Sequence, residues 1–211
     1  MSTEKQHVDY AEKLVCSISA DHTLTGCRFS LAPMTDRFIP IILDAVKKTD
    51  VSNVWSDSDE LSTIYRGRRI HVLDALKACL IYAFQPGVHM TMEATLSKGC
   101  PGDTLADSYM GKGDTLANEA EIRDVHFPVT VKFALYPMGV PDYMKHIAHV
   151  VNRAIDLGLY DRSVHYVTVL KGDVQDIFAY FAEASEYCES AVSHYVMEIT
   201  FAVNLPEEEN G

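Results

Sequence analysis

Apolar positions along this chain change their period several times, and the changes come in the same order twice. In "GCRFSLAP", positions 26 to 33, Phe29 and Leu31 alternate with Arg28 and Ser30, and the run ends at Pro33, as a strand stopped by a turn does. The spacing then lengthens. Phe38, Ile42, Ala45 and Val46 share one side of a predicted helix that Thr35 or Asp36 can cap, with Pro40 tolerable in its first turn, where an N–H is not needed. "SNVWSDSDELSTIYRG" carries apolar Val54 and Trp55, a polar turn, then Leu61, Thr63 and Tyr65 alternating with Ser62, Ile64 and Arg66, which predicts a hairpin. Arg69 to Phe84 spaces Val72, Leu76, Cys79 and Ala83 for a second helix, closed by "QPG", and positions 88 to 96 alternate again.

The second half repeats the order: a strand at 129 to 136, a helix between Pro141 and Gly158, a hairpin turning around "DRS", a helix capped by Asp173, and a strand near 194 to 203. "FSLAPM" at 29 to 34 returns as "FALYPM" at 133 to 138, and at a shift of 105 the segments 58 to 101 and 163 to 206 agree at nine of 44 positions, Thr63/Thr168, Gly67/Gly172 and Glu93/Glu198 among them. Chance would give about two or three. The chain therefore reads as a diverged tandem duplication: an extension at 1–23, a first repeat at 24–100, a connection at 101–126, a second repeat at 127–205 and a tail at 206–211.

Each repeat is a β-α-β-β-α-β unit. Right-handed crossovers put both helices of such a unit on one face of a four-stranded antiparallel sheet, so the expectation is an α+β protein of ferredoxin-like units with the opposite faces open. Strand alternation then sorts the side chains. With Phe29, Leu31, Ile64, Met92 and Ala94 towards the helices, Ser30, Thr63, Tyr65, Glu93 and Thr95 face the open side, and Ala134, Tyr136, Tyr166, Thr168, Glu198 and Thr200 do so in the second copy. Such a face is either the solvated or partner-facing half of its strands, or a pair of small pockets in which hydroxyls and backbone groups orient a flat heteroaromatic ligand. Glu93 and Glu198 enter the second alternative as carboxylates favouring an amino-bearing or cationic ring.

Composition narrows the classes. A net charge of −12 over 211 residues repels nucleic acid and anionic membranes. The first residues show no leader pattern, and no apolar run approaches the ~18 residues of a membrane span. Five cysteines without CxxC spacing favour reduced thiols, and with the missing leader they point to a cytoplasmic protein. Walker, GxGxxG, GxSxG and HExxH motifs are absent, so no catalytic residue is assigned. His146 and His149, three apart on a helix, fall short of a metal site, and the duplicated His89 and His194 fit strand starts better than catalysis.

The stretches "GCRFSLAPMTDRFI", "VWSDSDELSTIYRGR", "SKGCPGDT" and "FALYPMGVPDYM", in this order and spacing, resemble the YkoF-like family of thiamin and hydroxymethylpyrimidine binding proteins over about residues 24 to 204. The resemblance implies ACT-related ferredoxin-like repeats, a homodimer, pyrimidine binding without catalysis or cofactor, and a soluble carrier or buffer working alongside an ABC-type import system for thiamin precursors. It places ligand contacts at Ser30, Leu31, Ser62 and Thr63, and at Ala134, Leu135 and Thr168, with Thr63 and Thr168 foremost. Tyr166, Glu93 and Glu198 rest on strand facing alone. A small ferredoxin-like enzyme, or an ACT-like sensing module using the open face, is the alternative.

Overall fold

The computed structural model describes residues 24–98 and 113–206. Along them run β1 (Leu24–Pro33), α1 (Phe38–Lys48), β2 (Trp55–Ser58), β3 (Thr63–Arg68), α2 (Arg69–Ala83) and β4 (Met90–Lys98), then the short α3 (Glu119–Ile122). The same series follows again as β5 (Pro128–Met138), α4 (Tyr143–Asp156), β6 (Tyr160–Val164), β7 (Val167–Asp173), α5 (Val174–Ala191) and β8 (His194–Val203). The extension at 1–23, Cys16, Cys100, most of "SKGCPGDT" and the chain after Pro206 lie outside the described residues.

Two separate four-stranded sheets are not what forms. β4 and β8 pair antiparallel from Met90↔Val203 to Lys98↔Tyr195, and the halves merge into one antiparallel eight-stranded sheet in the order β2-β3-β1-β4-β8-β5-β7-β6. Each of these strands would otherwise present a long edge of unpaired N–H and C=O groups; pairing them satisfies both.

One face of this sheet carries the core. Met92↔Phe201, Ala94↔Ile199 and Leu96↔Met197 are buried cross-strand pairs at the seam, flanked by Cys27 and Phe29 on β1 and by Val131 and Phe133 on β5. α2 lies over it with residues buried all round its circumference, as expected of a helix with a sheet beneath and α5 beside it. Contacts across the repeats are specific: Arg69 donates to the Ala182 carbonyl at 2.9 Å and Glu189 at 3.2 Å, Lys98 donates to the Glu189 carbonyl at 2.6 Å, and Phe84 stacks on Phe127 at 3.9 Å. The connection is tied to both halves, with Asn118 donating to Asp74 and Gln175 donating to the Ile122 and Val125 carbonyls. No helix among the described residues is long and apolar enough to cross a membrane.

Three local expectations are corrected. Arg37, with no capping side chain, precedes α1; Thr35 only accepts the Arg37 N–H at 3.4 Å. "DRS" lies inside β6, and the hairpin turns at His165 and Tyr166 instead, Tyr166 taking a positive φ of 71°. The third concerns facing. Thr63 pairs with Phe29, Tyr65 with Cys27 and Thr168 with Phe133, so all three point to the helix side, while Ile64 pairs with Arg28 on the open face. The charges decide this frame: Arg66 and Arg68 alternate in phase with Ile64, and Lys171 with Val169, and burying those cations under the helices would cost far more than exposing one aliphatic side chain. Asp173 does cap α5, accepting the Gln175 N–H at 2.9 Å.

Candidate functional site

The register of the first strand in each repeat creates a fork. β1 pairs with β3 only as far as Phe29↔Thr63, while its pairing with β4 continues to Pro33↔Met90. β5 likewise leaves β7 at Phe133↔Thr168 and stays with β8 to Met138↔His194. Beyond the fork, Ser30 to Pro33 and Ala134 to Met138 have a strand on one side only, so alternate backbone N–H and C=O groups along the other edge look into a gap. A flat ring with donors and acceptors on its rim can pair with such an edge as a strand would. In the second repeat the start of α4 borders the gap, and in both repeats a buried threonine stands at its apex.

In the second repeat this gap is a cleft of about 1090 Å³. Ala134, Leu135, Tyr166, Thr168 and Glu198, all five candidates from the second copy, line it together. Leu135 is 5% exposed and Thr168 9%, so apex and floor are largely buried, whereas Tyr166 is 95% exposed at the mouth. The Thr168 hydroxyl has no partner among the described residues, and the neighbouring Ser163 hydroxyl is 3.1 Å from the Tyr160 hydroxyl. Ile147 and Val151 of α4 supply an apolar wall.

The first-copy candidates divide. Leu31 and Thr63 sit beside the fork on the helix side, with the Thr63 hydroxyl 2.9 Å from that of Ser58. Ser30 faces the open side opposite Glu93. Ser62 belongs to the turn: Arg28 donates to its hydroxyl and, at 3.0 Å, to Asp59, which also accepts the Leu61 and Ser62 N–H groups at 2.9 and 2.8 Å. These bonds, the Leu61 N–H foremost and then Arg28, hold the Asp59 carboxyl down at about 2. Glu93, opposite Ser30, lines a smaller open-face hollow of about 330 Å³ shared with Lys132 and Glu198.

Sequence reasoning missed Tyr143, Met144 and Ile147, which bring α4 to the cleft. Their signal was present: a shift of 105 maps Tyr143 and Met144 onto Phe38 and Ile39, and all four large side chains are about half exposed at a helix start, where burial does not require them. Other groups are committed elsewhere. Nδ1 of His146 meets the Tyr187 hydroxyl at 2.9 Å while His149 stacks on the Tyr187 ring, and Nδ1 of His89 is 2.8 Å from the Val203 carbonyl. Burial pushes the Cys27, Cys79 and Cys188 thiols up to about 12, so none is poised as a nucleophile.

Two comparisons bear on this geometry. The family model described as "YKOF-related Family" matches residues 24–103 and again 128–208, one span over each fork. The chain is also 42% identical over 187 residues, 89% of its own length and 94% of the relative's, to a Bacillus subtilis (strain 168) protein named "Putative HMP/thiamine-binding protein YkoF". With both forks and most of its length matched, the chain belongs to the YkoF-related family.

Proposed function

We propose that this protein binds hydroxymethylpyrimidine and thiamin, one ring to each fork, and does no chemistry on them. The observation that carries the proposal is the duplicated fork: an unpaired strand edge beside a buried threonine, opening in the second repeat into a cleft of ligand size with a largely buried floor. An aminopyrimidine offers ring nitrogens and an amino group in one plane, the complement of a strand edge plus a hydroxyl. The thiazolium of thiamin belongs nearer the mouth, because burying an unpaired cation is costly. The relative's name supports the ligand class. The strand order β2-β3-β1-β4, repeated as β6-β7-β5-β8, supports ferredoxin-like, ACT-related units.

On this proposal the ligand is cargo, neither cofactor nor substrate, and the protein is a cytoplasmic carrier or buffer serving an ABC-type importer of thiamin precursors. The uncovered sheet face, where Ser30 and Thr91 lie between more exposed charges, is the surface offered for a homodimer. Equilibrium dialysis followed by mass analysis of the recovered ligand separates carrier from enzyme. Saturable binding with every ligand recovered at its original mass is expected; a changed mass would replace the carrier with the ferredoxin-like enzyme, and failure to bind would remove both.

A further inference from the structure

The second cleft differs from its sister in what stands at its mouth. Tyr136, Tyr143 and Tyr166 line it, 46%, 50% and 95% exposed, where the first repeat has Ala32, Phe38 and Leu61. Glu198 is the one charged residue in its lining, and no Lys, Arg or His is present there among the described residues. The Tyr136 hydroxyl donates to Glu198 at 3.4 Å, and the carboxylate's charge raises the phenol's pKa, so the ring stays neutral beside it. Tyr166 is held at a positive φ, an unusual conformation for a bulky residue, with its ring almost wholly in solvent. Core packing gives no reason for that ring. Aromatic faces and a carboxylate both attract cations, and nothing in the lining opposes them.

We propose that the second cleft selects for charge: it takes a flat heteroaromatic ligand bearing a fixed positive nitrogen, which lies against Tyr143 and Tyr166 on the Glu198 side of the mouth. The selection rests on the proposed function, since it presumes that the pyrimidine end of the same ligand occupies the fork. It assigns specificity to side chains that the fork geometry does not use. Tyr136, Tyr143 and Tyr166 would distinguish the complete cationic vitamin from its uncharged precursor, a distinction a strand edge and a threonine hydroxyl cannot make.

The test is titration calorimetry of the full chain with thiamin and with a neutral isostere in which a thiophene ring replaces the thiazolium, so that shape is constant and charge is not. In one binding phase the cation should win by about tenfold. Tyr143→Leu/Tyr166→Leu should reduce that preference to within about twofold, and Tyr143→Phe/Tyr166→Phe should keep it, because phenylalanine retains the ring face. Hydroxymethylpyrimidine, which lacks the second ring, is titrated into the unmutated protein to report the pyrimidine site, and far-ultraviolet circular dichroism with the thermal midpoint reports whether the variants fold. Should the double leucine variant fail to fold, the single Tyr166→Leu variant, altered at a 95% exposed side chain, carries the comparison. Equal affinity for cation and isostere in the unmutated protein, or a preference surviving in the leucine variant, overturns charge selection while leaving pyrimidine binding intact. Failure of the unmutated protein to bind any of the three overturns both.

Discussion

Thr63 and Thr168 occupy equivalent places, each opposite a phenylalanine at the last pair before the strands part. A threonine in a strand beneath helices normally needs a partner for its hydroxyl. Thr63 has one in Ser58, whereas Thr168 has none among the described residues. On the proposed function, a ligand donor or acceptor would supply that partner in the second site. Thr168→Val keeps the shape and removes the hydroxyl, and should weaken pyrimidine binding at the second cleft by about 1 to 3 kcal/mol. Calorimetry on the variant checks this, and an unchanged affinity in a folded variant would take Thr168 out of the site. Both threonines were legible in the sequence because they are duplicated. Their orientation was not: the apolar side chains of "STIYRG" fit either frame, and only the phase of Arg66 and Arg68 separates them.

Among elements, the β2–β3 hairpin shows how differently the two copies are built. In the first repeat Asp59 gathers Arg28 and two backbone N–H groups into a clamp; in the second the equivalent residue is Val164 and the turn is carried by Tyr166. The Asp59 carboxyl is depressed from its ordinary 3.8 to about 2, so its contribution to stability is complete above the ordinary value and is lost as the pH falls through about 2. Urea unfolding should therefore give Asp59→Asn a lower midpoint than the unmutated chain at neutral pH, with the difference closing as the pH drops from 3.8 towards 2. A difference that stayed constant with pH would show that the carboxylate is not what holds the turn. Helices and strands could be read from the sequence because their periods are local. The forks could not, since where β1 leaves β3 is a matter of register between segments more than 30 residues apart, and no single segment encodes it.

At the scale of the molecule, the duplication was written in the sequence but its consequence was not. Two units could have sat side by side; instead β4 and β8 close a seam, α2 packs on α5, and a single buried cluster runs from Cys27 to Val203. No alternation pattern distinguishes an edge strand that will meet water from one that will meet its own copy. Continuity of sheet and core should make the chain unfold as one unit, with calorimetric and van't Hoff enthalpies equal; two resolved transitions would mean that the repeats are independently stable. The continuous seam joins two halves that each carry a fork of their own. Counting sites decides whether each fork is a pyrimidine site. Titrating the protein, Thr63→Val and Thr168→Val with hydroxymethylpyrimidine should give about two sites per chain in the unmutated protein, each variant weakening a different one; a single site unaffected by either substitution would contradict the account.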